Sequence, residues 1–139
     1  MKLWAAISLF LALCLPQITK AQDGDGPSKQ ELYDSFVYCS AYHLAKTEVD
    51  FQGEEIARQD ASEGAIFLSA AALTDVAESD KASANLLEER VIAIVNEYNN
   101  GDEQAKQDFV LLGENCADLR DIAQDVIDEA EGAELTNAI

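Results

Sequence analysis

Phe109, Leu112, Cys116, Leu119, Ala123, Val126 and Ala130 succeed one another in steps of 3, 4, 3, 4, 3 and 4. That spacing lines one face of an α-helix and is incompatible with the two-residue repeat of a strand. A chain with such a stripe must bury it against other helices. One member of the stripe is a cysteine. Cys39, far upstream, lies in a similar pattern with Leu32, Phe36 and His43.

The remaining segments read the same way. Ser28-Lys29-Gln30-Glu31 is a capping box: the serine hydroxyl accepts from the amide three residues on, and the glutamate reaches back to the serine amide. It opens a first helix, whose face Tyr33, Val37 and Leu44 widen, with Gly53 as its expected stop. A second helix is predicted from Glu54 to Glu78, its middle dominated by alanine and other small residues that let a neighbouring backbone come close. Gly64 within it marks close packing or a kink. Residues 79–84 form a polar break. Asn85 can cap the third helix, and Asp80 or Ser83 can do so earlier. The third helix carries Leu87, Val91, Ile94 and Tyr98 on one face. Asn99-Asn100-Gly101-Asp102 is a turn in which glycine is expected to supply positive φ and Asp102 to cap the next helix. That fourth helix is predicted from Glu103 to Glu131, with Gly132 ending it.

No segment alternates as a strand would. The expected fold is all-α: a small antiparallel four-helix bundle spanning residues 29–132, with a frayed tail at 133–139. In that order the first and last helices run in opposite directions, and Cys39 and Cys116 fall at matching depths.

The compartment is read from the N-terminus. Lys2 precedes an apolar run from Leu3 to Leu15, too short to span a bilayer comfortably. Pro16 breaks it, and Thr19-Lys20-Ala21 places small residues where a signal peptidase reads them. Residues 1–21 are therefore read as a secretory signal peptide and 22–28 as a flexible acidic tail. The expected location is secreted or periplasmic. An exported chain left with two cysteines allows one intramolecular pairing, Cys39 with Cys116.

Charge narrows the function. The full chain has 9 Lys and Arg against 27 Asp and Glu, a net charge of −18. Removing the leader takes away two lysines and leaves 7 minus 27, or −20. Such a surface repels nucleic acid and anionic membranes and favours cations and basic proteins. Glu114, Asp118, Asp121, Asp125 and Asp128 form an acidic ridge beside the last apolar stripe. These five are the candidate surface for a basic protein partner.

Catalytic motifs are not found. Ser35, Ser40, Ser62 and Ser69 lie inside predicted helices, no Gly-x-Ser-x-Gly elbow is present, and there is no glycine-rich phosphate loop. A di-iron bundle needs paired Glu-x-x-His motifs, and His43 is the single histidine. No metal or cofactor is expected. Tyr42 and His43 are the candidate lining of a small-ligand pocket between the first and last helices.

In outline the layout is similar to small exported helical proteins of bacteria with one cysteine in the first helix and one in the last. Some of these are immunity or inhibitor proteins. The resemblance rests on the leader, the two cysteines and the four helices, and it transfers no residue. The expectation is a non-enzymatic binding or accessory protein, of inhibitor or immunity type in one concrete form. The alternative is a small-ligand or metal carrier using the bundle interior.

Overall fold

The computed structural model describes residues 26–74, 76 and 80–138. The predicted signal peptide, most of the acidic tail and part of the second connection lie outside the described residues. Four helices make up the described chain: α1 Lys29–Val49, α2 Glu54–Leu73, α3 Asp80–Asn100 and α4 Glu103–Asn137.

The local chemistry at the helix ends explains these bounds. The capping box forms at α1: Ser28 Oγ accepts from the Glu31 amide at 3.2 Å, and Glu31 Oε2 accepts from the Ser28 amide at 2.7 Å. Hydrogen bonds from the Ser28 amide and then the Ser28 hydroxyl hold the Glu31 carboxyl below its usual pKa. Gly53, with φ of 112°, enters α2 as its N-cap residue after α1 has ended at Val49. Asp102 caps α4, its Oδ1 accepting from the amides of Gln104 and Ala105.

Four expectations are corrected. The second helix stops at Leu73, not Glu78, because the Thr74 hydroxyl and amide both donate to the Ala71 carbonyl, at 2.7 and 3.1 Å. The third helix begins at Asp80, so most of the expected polar break is helical, Ser83 and Asn85 lie inside the helix, and Asp80 is its first residue rather than its cap. Helix α4 passes through Gly132 and runs to Asn137. A glycine ends a helix when its backbone turns left-handed, and Gly53 is the one positive-φ glycine among the described residues. Gly101 likewise does not supply positive φ. It is needed for space: a Cβ there would collide with the Glu97 carbonyl and the Ala105 side chain.

Contacts fix the directions. Cys39 bonds Cys116, and Tyr42 packs on Phe109, so α1 and α4 run antiparallel. Phe36 meets Phe67 while His43 meets Asp60, so α1 and α2 do too. Tyr98 packs on Phe109 across the α3–α4 turn. Tyr33 pairs with Ser83, and Tyr38 with Arg90, which sets α3 parallel to α1. Helix α1 packs against all three others, whereas α2 and α3 do not touch among the described residues. The bundle is thus a flattened diamond, with α1 and α4 on its short diagonal.

The disulfide closes that diagonal, with Cα atoms 5.5 Å apart. Its partners are 77 residues apart, so in the chain-entropy model it stabilises the fold by about 4–5 kcal/mol. Around it lie Phe36, Val37, Ala41, Phe67, Ala70 and Ala123, all essentially inaccessible to water. Burying an aromatic or branched side chain contributes about 1.5–3 kcal/mol, so this layer is the main source of stability.

Candidate functional site

The sequence singles out two groups of residues, and the fold exposes one and buries most of the other. The acidic residues Glu114, Asp118, Asp121, Asp125 and Asp128 are all exposed. Phe109, Leu112, Cys116, Leu119 and Ala123 are buried on the same helix. The row of acids therefore occupies the face of α4 turned away from the core. Asp128 also accepts from Gln124 Nε2 at 2.8 Å, and Gln124 accepts in turn from Arg120. Arg120 itself is directed onto α2, where its Nε donates to Glu63 Oε2 at 2.6 Å. Of the two basic residues in α4, Lys106 precedes the row and Arg120 is engaged with Glu63, so neither neutralises it.

Tyr42 and His43 point into the bundle. The Tyr42 ring lies edge-on to His43 at 5.1 Å between centroids and against Phe109 at 4.9 Å. Its hydroxyl end abuts Gly113 so closely that a Cβ there would overlap the phenol oxygen. The missing side chain at position 113 is what lets α4 come down over Tyr42. Burial, and then the negative charges of Asp60 and Asp50, push the Tyr42 hydroxyl above its usual pKa, so it stays a neutral phenol.

His43 stacks on Phe67, with centroids 5.8 Å apart and planes at 19°. Its Nδ1 lies 3.0 Å from Asp60 Oδ1. Lys46 Nζ donates to the same oxygen at 3.1 Å. Asp60 is 5% exposed, and an unpaired carboxylate at such a depth would be expensive. Two bases one helical turn apart on α1 satisfy it. The unit ties α1 to α2 and fixes the orientation of the imidazole, with Nδ1 turned to the carboxylate.

Sequence reasoning missed Asp60, Lys46, Glu63 and Arg120. A signal for Asp60 existed: Asp60, Gly64, Phe67 and Ala71 step 4, 3 and 4 along one face. A carboxylate on a buried stripe demands partners, and His43 and Lys46 are spaced to supply them.

Among the described residues, no group of three or more His, Cys, Asp or Glu side chains is arranged to hold a metal ion. No described helix is long and apolar enough to cross a membrane. Comparison with family models, with curated proteins and with solved structures found no match to this chain.

Proposed function

We propose that this chain is an exported, non-enzymatic binding or accessory protein that docks the acidic face of α4 on a basic protein partner. An inhibitor or immunity protein is one concrete form. The observation that carries this reading is the row of five exposed carboxylates on a helix anchored to the core by the disulfide, with no ion pair to any of the five among the described residues. A rigid row of like charges steers an oppositely charged partner during encounter and fixes its register. The lysine-led apolar leader and the disulfide support export. The carrier reading is weaker: the Tyr42 and His43 rings are packed against Phe109 and Phe67, and neither lines the groove between α1 and α3.

The test is carboxylate-to-lysine cross-linking in intact cells, followed by mass spectrometry. The row is expected to join to lysines of one partner, with an adduct that fades as salt rises. Replacing Glu114 by Gln and Asp118, Asp121, Asp125 and Asp128 by Asn should abolish it. An adduct that survives both salt and neutralisation rejects the proposal.

A further inference from the structure

The separation of α2 from α3 leaves part of α1's outer surface uncovered, and a groove of about 630 Å3 opens there between α1 and α3. Leu44 of α1 and Leu87, Val91, Ile92 and Val95 of α3 give it an apolar floor and wall. Ile92 is 52% exposed within it. Glu48 of α1 and Glu88 of α3 also line the groove, one from each wall. Both carboxylates are exposed, and neither is in an ion pair among the described residues. No basic residue among those described lines the groove.

We propose that this groove receives a basic amphipathic helix of a protein partner. The proposal goes beyond the reading of the α4 face and does not depend on it. The shape argues for a helix. On α3 the lining runs from Ala84 to Asn96, about 18 Å at 1.5 Å per residue and the length of three turns of a helix laid alongside, while on α1 it is the single turn of Leu44, Thr47 and Glu48. The groove is open to solvent, whereas a small-molecule site encloses most of its ligand. A helix needs one covered face and keeps the other in water. The charge argues for a basic one. Lysines or arginines flanking its apolar stripe meet Glu88 of α3 towards one end and Glu48 of α1 towards the other. An acidic helix is repelled, and so is a second copy of this strongly acidic chain.

The test is an NMR titration of the 15N-labelled, oxidised protein purified after export. The probe is a synthetic peptide of about 18 residues with leucines on one helical face and lysines on the other. A control peptide keeps the lysines and replaces the leucines by serines. Amide shifts are expected at residues 44–48 and 84–96, with the leucine peptide bound at least about ten-fold more tightly than the control. Ile92→Ser should lower that affinity by about ten-fold, and the pair Glu48→Gln with Glu88→Gln should remove most of its salt dependence. Both sets change exposed side chains, so the fold is retained. Shifts confined to residues 114–128, equal affinity for the two peptides, or no binding would each overturn the proposal. Shifts confined to 114–128 would overturn it while leaving the α4 reading intact.

Discussion

Helix α1 has two long seams, and they are built on opposite rules. Along α2 the contact is made by absence of side chain. A Cβ on Gly64 would lie 3.4 Å from the Ser40 carbonyl oxygen, so the two backbones run close together there. Ala70 and Ala71 continue the narrow contact, and Phe67 fills the space beside it. Along α3 the contact is made by larger groups at intervals: the Tyr33 hydroxyl with Ser83, and the Arg90 guanidinium 5.4 Å from the centre of the Tyr38 ring. Leu87, Val91 and Val95 stay only partly covered. Small residues weld two helices, whereas bulky ones hold them apart and leave usable surface between them.

The strongest way to break this contrast is to cut into both seams alike. Phe67→Ala is expected to cost about 3–5 kcal/mol in denaturant unfolding, because the cavity cannot collapse against an already close backbone. Ile92→Ala, on the α3 seam, should stay within about 0.5 kcal/mol. Comparable losses would show that the two seams are equally tight.

The ionic part of the α2 seam comes next. Asp60→Asn keeps the volume but removes the charge that compensates Lys46 and orients His43. Breaking a buried pair costs about 3–5 kcal/mol, and the partial exposure of Lys46 reduces this to about 2 kcal/mol. The His43 ring should also lose its fixed orientation, visible as a change in its Nδ1 and Nε2 shifts by NMR. A fall in stability without that change would reassign Asp60 to a purely electrostatic role.

The smallest effect, and opposite in sign, belongs to Glu97 near the end of α3. Burial, and then the neighbouring Asp108, raise its carboxyl above the usual 4.5. The folded state therefore binds this proton more tightly than the unfolded chain. Its contribution is full below 4.5 and is lost as pH rises through the raised value. Glu97→Gln should raise the melting temperature at neutral pH, with the gain shrinking as the solution is acidified towards the ordinary carboxylate range. A gain that is constant with pH would remove the protonation argument.

The helices, the N-caps of α1 and α4 and the disulfide partners were legible because each is a property of one segment, or of two cysteines with no other choice. The stripe from Phe109 to Ala123 is buried as its spacing demands, and the Ser28–Glu31 box closes as its residue types require. The exposure of the α4 acids came from the same periodicity. Relations between helices were not legible. A 3.6-residue repeat states which face is covered but not by which neighbour, so the diamond arrangement and the gap between α2 and α3 had no signature. Gly113 carried none either: its role exists only once Tyr42 is known to lie across it. The Gly132 stop failed for a related reason, since a glycine halts a helix only where the backbone reverses its φ.

The link between positions 39 and 116 also orders events in time. Chain synthesis delivers the first thiol 77 residues before its mate. Until that mate arrives there is no second sulfur in the bundle to oxidise against. The bond therefore forms only after α1, α2 and α3 have been synthesised.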